Sequence, residues 1–423
     1  MRILFVVHQF MPEFAAGTER VTLNLAQSAQ RDGHHADVLT CSMRDEVPWE
    51  EAGEWRCARV DGVQVFGLRG AGVTPLQQLG LETDVGRRHV VERFLKGREP
   101  YDVVHFTHPM RMLEVVEAVR DRGLPYVLTL TDFYLMCWQN NLVRLSGELC
   151  SGPAGGAACV RHCSTLRLND RMLLERWERM GQILADADAI VACSPYVAQS
   201  FQAEYPDLPI RIIPHGINLL DFAPARPSAG DAIVFGYVGT LSAMKGVDVL
   251  VEAFAKTDLP QARLKLVGPT FDDDLARTLE QFASADERIS IHPAIPAAEV
   301  PAMLATFDIL CLPSRVPETF SLAVHEAFAA NLPCIVSDLG HPAQVIREHG
   351  CGMVAPSGDV TAWAEALHAA ARGEHVLAEW QAQIPLPFRV EEEGFLYSQI
   401  YTGLVRSPET ARRQHHVEAL THA

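Results

Sequence analysis

No stretch of this 423-residue chain holds the roughly 18 to 20 consecutive apolar residues that a membrane-spanning helix needs. The apolar opening, Ile3 to Val7, stops at His8 and Gln9, too short for the core of a secretory leader. It reads as a first buried strand, and the expected compartment is the cytoplasm. Basic residues are also scarce: 36 Lys and Arg stand against 53 Asp and Glu, a net charge of −17. That excludes wholesale nucleic-acid binding, which needs a dense basic footprint. The deficit is uneven, with 22 basic against 27 acidic residues in 1–220 and 14 against 26 in 221–423. The first half is thus better placed to meet an anionic partner. Ten cysteines in a chain of this size form no secreted disulfide framework. Six of them (Cys41, Cys57, Cys193, Cys311, Cys334, Cys351) are scattered and read as small core residues.

What is present is alternation. RILFVV, ADVLT, VQVFGL, DVVHF, YVLTL, AIVAC and RIIP read as strands of the first half, and IVFGYVG, RLKLVG, ISIHP, ILCLP, CIVSD and GMVAP as those of the second. Many are followed by stretches that are apolar at helical spacing and end in Gly or Pro. Strand–helix alternation implies parallel sheets with right-handed crossovers, so the expected fold class is α/β, with two doubly wound, Rossmann-like domains facing a central cleft. The expected bounds are 1–220 for the first domain and 221–390 for the second, with a Pro- and Ala-rich linker near 221–231. A helix over 391–405 is expected to pack back on the first domain, and 406–423 reads as a flexible tail.

Ligands of open α/β sheets bind beyond the carboxyl ends of the strands. Four loops qualify. In SRVPETFSLAVHEAFAANLPCIVSD a strand runs into a loop carrying Glu318, then into a helix starting near Ser321 that carries Glu326. A helix start at that edge offers free N–H groups and partial positive charge to a phosphate. Carboxylates on either side suit a ligand with hydroxyls flanking a phosphate, although most glutamates are solvated surface acids. Gly239-Thr240 and Lys245-Gly246 bound a second loop, in which glycine lets the backbone approach an anion and Lys245 supplies a point charge. Gly17-Thr18-Glu19-Arg20 opens the first helix, and Pro214-His215-Gly216-Ile217-Asn218 is a turn before the linker.

Together and in this order the four segments resemble the group 1 (family 4) retaining glycosyltransferases of the GT-B fold, over Met1 to about Val405. The Glu-x7-Glu run Glu318 to Glu326 carries the resemblance most strongly. It implies transfer of a sugar from a nucleotide sugar donor to a saccharide, lipid-linked or small-molecule acceptor, with no cofactor required for catalysis. Glu326 would take the ribose hydroxyls and Glu318 the sugar hydroxyls. Backbone N–H groups of Thr319, Phe320 and Ser321 would face the distal phosphate, with Gly17, Gly239 and Thr240 nearby. Lys245 would neutralise the departing diphosphate. Two positions depart from the family pattern: Thr240 replaces an Arg, leaving Lys245 to act alone or with Arg315, and Thr131 replaces a His. His108 and Asp132 are the candidates to compensate at the second, although a buried structural role fits His108 equally well. A catalytically degenerate nucleotide-sugar binder and a nucleotide-sugar epimerase are the alternatives.

Cys137, Cys150, Cys159 and Cys163 fall in a loop-like insertion over 137–163. Three readings stay open: a structural zinc held by the four thiolates, His162 substituting for one of them; a disulfide such as Cys159–Cys163; and reduced thiols. The basic segment DVGRRHVVERFLKGR reads as a solvated helix face, with peripheral membrane contact as its alternative.

Overall fold

The computed structural model describes residues 1–47, 49–70, 72–222, 233–371 and 374–406. The chain divides into two compact units, Met1–Gly216 with Val390 onward, and Ile217–Arg389. The expected linker over 221–231 and the tail beyond 406 lie almost wholly outside the described residues. Among the described residues no helix is long and apolar enough to cross a membrane.

The first unit is built on nine strands: β1 Arg2–Val7, β2 His35–Ser42, β3 Glu50–Ala52, β4 Trp55–Val60, β5 Val63–Arg69, β6 Val103–Phe106, β7 Tyr126–Leu130, β8 Ala189–Ala192 and β9 Ile210–Ile212. Their order is β3-β4-β5-β2-β1-β6-β7-β8-β9. From β5 to β9 every pairing is parallel. Strands β3 and β4 are antiparallel to their neighbours and extend one edge. This corrects the all-parallel expectation. The sequence WRCARV carries two arginines and has a single buried residue among six, the profile of an edge ribbon and not of a strand buried on both faces. By contrast Ile3 to Val7 are wholly buried, as a central parallel strand requires. The expected strand RIIP is realised one residue earlier, over Ile210–Ile212.

The second unit carries β10 Val234–Val238, β11 Arg263–Val267, β12 Ile289–His292, β13 Ile309–Leu312, β14 Cys334–Ser337 and β15 Gly352–Ala355, all parallel, in the order β12-β11-β10-β13-β14-β15. That is the doubly wound order, in which the direction of winding reverses between β10 and β13. The first sheet reverses likewise between β1 and β6. At each reversal two neighbouring loops diverge at the carboxyl edge and leave a crevice.

The C-terminal helix, Val390–Val405, belongs to the first unit and is tied there by buried hydrogen bonds. Tyr401 Oη lies 2.7 Å from His105 Nδ1, Tyr397 Oη lies 2.7 Å from Thr129 Oγ1, and Thr129 Oγ1 lies 2.7 Å from His105 Nε2. Glu393 meets His215 Nδ1 at 3.1 Å and accepts from Gly216 N–H at 2.9 Å. Burial pushes His105 down to about 3. Burial also opposes the charge on His215, but hydrogen bonds with Cys193 and Glu393 outweigh it and raise this imidazole to about 10.

Candidate active site

Three segments of the second unit meet at the reversal between β10 and β13. After β10 the chain turns through Gly239-Thr240, where the Tyr237 hydroxyl donates to Thr240 O at 2.8 Å and holds the turn. A single helical turn, Ala243–Lys245, then delivers Lys245, with Ser242 as its N-cap. Gly246 follows in the left-handed region (φ 68°), and a Cβ there would sit 2.0 Å from Pro313 O. Only glycine lets this loop lie against the end of β13.

After β13 comes Ser314 and then Glu318. Lys245 Nζ donates to Glu318 Oε1 at 2.7 Å, and the Ser314 hydroxyl donates to the same oxygen. Glu318 Oε2 receives no protein hydrogen bond among the described residues and stays available to a ligand hydroxyl. The Lys245 side chain is 36 % exposed and that of Glu318 11 %, so the ammonium faces solvent and the carboxylate backs it. Gly340, at φ 76°, fixes the Glu318 backbone from behind: a Cβ there would lie 2.2 Å from Glu318 O. His341 N–H donates to that carbonyl at 2.9 Å.

The helix Leu322–Ala329 starts at this point. Its N-cap, Ser321, has φ 66° and ψ 91°, a strained conformation for a residue with a Cβ, and its side chain does not cap the helix. The first-turn N–H groups therefore lack both intrahelical and side-chain acceptors from the cap. Glu326, on the next turn, is 4 % exposed. The Phe320 ring stacks on His325 at 3.8 Å, which sets the approach of Thr319 and Phe320 to the helix. Arg315 lies beside the lysine loop: its N–H donates to Met244 O at 2.8 Å, and its guanidinium donates to Asp248 Oδ2 at 2.8 Å. The structure thus brings Gly239, Thr240, Lys245, Glu318, Thr319, Phe320, Ser321 and Glu326 to one sheet edge. Ser314 and Gly340 belong with them, but sequence reasoning passed over both. A serine just after a strand, and a glycine 22 residues beyond its partner, carry no local signal.

His108 and Asp132 stand at the carboxyl edge of the first sheet. His108 Nε2 lies 2.9 Å from Asp132 Oδ2, and Met110 N–H donates to His108 Nδ1 at 3.3 Å. The imidazole therefore carries its proton on Nε2 and gives it to Asp132, leaving no ring nitrogen for a ligand. Asp132 also accepts from Tyr134 N–H at 2.8 Å, and its side chain is 30 % exposed. Thr131 is turned inward, donating to Thr107 O at 3.1 Å. Gly17 begins the helix Gly17–Arg31 at the same edge, and Glu19 accepts from Ala16 N–H at 2.8 Å.

The four clustered cysteines are free thiols. Cys159 and Cys163 share the helix Ala157–Cys163, and Cys150 Sγ turns to Gly152 O at 3.4 Å. Burial, with Cys137, Cys163 and Cys150 around it, pushes the Cys159 thiol up to about 12. Among the described residues, however, no three His, Cys, Asp or Glu side chains stand where they could hold a metal ion. As the side chains lie, the set does not fit a tetrahedral site. The basic helix Val85–Lys96 is largely spoken for within the molecule: Arg87 donates to Arg69 O and Arg111 O, Arg88 pairs with Glu92, Glu117 and Asp121, and Arg93 pairs with Glu54. Arg98 covers Phe94 and Phe66. A face so neutralised offers little to an anionic surface.

Comparison with known proteins identifies the family. Residues 15–219 match the model for Glycosyltransferase Family 4, and residues 221–384 match that for Glycosyl transferases group 1. The chain belongs to the group 1 glycosyltransferases. It is 27 % identical over 296 residues to a D-inositol 3-phosphate glycosyltransferase of Catenulispora acidiphila, covering 65 % of each chain. It is 25 % identical over 378 residues to a GDP-mannose-dependent alpha-mannosyltransferase of Mycobacterium tuberculosis, covering 85 % of each. Over three curated relatives carrying the inositol phosphate name, the match spans 45 to 66 % of this chain and 46 to 65 % of theirs. Among solved structures, Anabaena HepE in complex with UDP and glucose shares the fold at a TM-score of 0.68 and 16 % identity, over 95 % of this chain and all of that one. The GT-B fold of this group 1 member is thereby shown.

Proposed function

We propose that the chain transfers a sugar, with retention of anomeric configuration, from a nucleoside diphosphate sugar to a hydroxyl of a saccharide, lipid-linked or small-molecule acceptor. The observation that carries this reading is the Lys245–Glu318 pair, 2.7 Å apart, at the doubly wound reversal and beside a helix amino end. A diphosphate entering there meets the exposed side of the ammonium while Glu318 holds its other side. Helix N–H groups of the first turn add partial positive charge. Glu318 Oε2 would take a sugar hydroxyl, and Glu326 the ribose hydroxyls.

In the proposed step the bond from the sugar's anomeric carbon to the phosphate oxygen breaks. The acceptor oxygen bonds to that carbon on the same face, and its proton passes to the leaving phosphate. Lys245 and the helix N–H groups stabilise charge as it develops on the diphosphate, which is stronger catalysis than equal binding of ground and transition states. Arg315 stands by as a second cation, its guanidinium held by Asp248. These groups supply the charge that a divalent metal supplies elsewhere, so the reaction is proposed to need none. One relative is named for GDP-mannose and HepE holds UDP, so both bases are candidates for the donor.

The test is nucleotide release from a panel of UDP- and GDP-sugars, with and without cell-extract acceptors and with and without chelator. Acceptor-stimulated release from one donor, unaffected by chelator, is expected, with the product's anomeric coupling matching the donor's. Tight binding without release under every acceptor would instead identify a degenerate binder.

A further inference from the structure

The reversal point of the first sheet, between β1 and β6, holds a histidine that nothing above employs. His8 follows β1 directly and is 9 % exposed. Its ring packs on His108 with centroids 4.1 Å apart. His108, its ring tilted 42° to that of His8, is itself held at both nitrogens by Met110 N–H and Asp132. His8 Nδ1 is sealed from solvent with no hydrogen-bond partner. His8 Nε2 lies 4.0 Å from Glu19 Oε1, beyond hydrogen-bond reach. A ring nitrogen buried without a partner, as His8 Nδ1 is, costs on the order of 1 to 3 kcal/mol. The fold accepts that cost at the carboxyl edge, in the crevice where open α/β sheets take their ligands.

A second feature at the same edge points the same way. Arg111, three residues past His108, has φ 63°, a conformation uncommon for residues with a Cβ and concentrated at binding sites. Arg87 holds it there by donating to its carbonyl at 2.9 Å. The Arg111 side chain forms no ion pair among the described residues, and its Nε is buried without a partner.

We infer that His8 is a ligand-binding residue of the acceptor site, taking one hydroxyl of an uncharged sugar or polyol at the reversal between β1 and β6, with Arg111 and Asp132 flanking it. This rests on the transferase reading and assigns that reaction's acceptor class. Burial, with His108 and Arg111 nearby, holds His8 well below the usual histidine range, so the ring stays neutral. A neutral imidazole offers one N–H and one lone pair, which a hydroxyl matches because it both accepts and donates. Burial also raises Glu19. An anion at His8 would gain no charge from the ring, and the flanking Arg111 and partly exposed Asp132 would act on it in opposite senses, whereas a hydroxyl is matched by the neutral ring directly.

The test uses the full chain, 15N-labelled at histidine, titrated with glucose, mannose, N-acetylglucosamine, myo-inositol and inorganic phosphate in the presence of UDP or GDP. The His8 ring resonances are assigned by their loss in His8→Phe, which keeps an aromatic ring against His108. At least one neutral probe is expected to shift His8, and its affinity should fall about tenfold in His8→Phe, the worth of one hydrogen bond. In His8→Gln, which keeps an N–H donor, the fall should be about threefold. Unchanged affinity in both variants overturns the inference, as does a His8 response to phosphate and to no sugar, or to no probe at all. Should His8→Phe lose its circular dichroism, His8→Gln decides alone, unchanged affinity there being contrary. Nucleotide thermal shifts in the same samples separate the two readings. Nucleotide binding with a silent His8 removes this inference only, whereas no nucleotide binding removes the transferase reading.

Discussion

The two sheet reversals hold polar groups of opposite character. At the edge of the second sheet, Lys245 and Glu318 form a tight, half-exposed ion pair backed by Ser314, and their loops are pinned by glycines. At the edge of the first, His8 and Glu19 are buried without mutual hydrogen bonds, and only the His108–Asp132 pair is fully engaged. The first arrangement suits a ligand of high charge, because its cation is held and yet presented. The second suits a ligand recognised by hydroxyls, because its central ring, His8, is neutral and the flanking Arg111 and Asp132 carry opposite charges. Site chemistry therefore divides between the units as a donor and an acceptor would.

The contrast breaks most visibly at Lys245. Lys245→Ala removes the charge that stabilises the leaving diphosphate, so turnover should fall about 10²- to 10³-fold while nucleotide affinity falls much less. Equal losses in steady-state turnover and in calorimetric affinity would mean that the lysine only binds. Next in size is Gly340→Ala. Its Cβ would meet backbone at 2.2 Å and the residue sits at φ 76°, so a loss of about 2 to 4 kcal/mol in denaturant unfolding is expected, with weakened donor binding. Full stability in that variant would show that the Glu318 loop is not pinned from behind.

The first unit should show its buried histidines in the pH dependence of stability. His215 is raised to about 10, so its contribution is complete below about pH 6.5, the ordinary histidine value, and is lost as pH rises toward 10. His105 is lowered to about 3, so its contribution is complete above about pH 6.5 and is lost as pH falls toward 3. Each limb should slope by at most about 1.4 kcal/mol per pH unit. His215→Gln should flatten the alkaline limb alone, as followed by denaturant midpoints between pH 5 and 10. The smallest effect belongs to the strained cap: Ser321→Gly should stabilise by about 0.5 to 1 kcal/mol, the left-handed strain less the added chain entropy. Destabilisation there would mean that the serine hydroxyl contributes more than the strain costs.

The same contrast explains what could be read from the sequence. Glu318, Ser321 and Glu326 lie within nine residues, and Lys245 closes a glycine-bounded loop after an apolar strand, so local spacing already displayed most of the second site. The alternation of apolar runs also displayed the parallel strands of both sheets. The antiparallel ribbon of β3 and β4 was missed because its half-exposed residues carry no apolar run. His8, Glu19 and Arg111 come from three segments, each a single polar residue just past a strand or at a helix start. Only sheet order makes them neighbours, and a local pattern marks Glu19 alone, in the loop Gly17-Thr18-Glu19-Arg20. The cysteine insertion shows the converse: suggestive spacing over 137–163, yet side chains that do not converge on a metal point.

The central claim is that the second unit grips a nucleoside diphosphate between Lys245, the amino end of the helix Leu322–Ala329 and Glu326. Calorimetric titration of UDP and GDP into the wild-type chain and Glu326→Ala tests it most directly. The account predicts saturable binding of at least one nucleotide, weakened about 10- to 100-fold in the variant through loss of charged hydrogen bonds to the ribose. Identical affinities in the two proteins, or no binding of either nucleotide to the wild type, would contradict it.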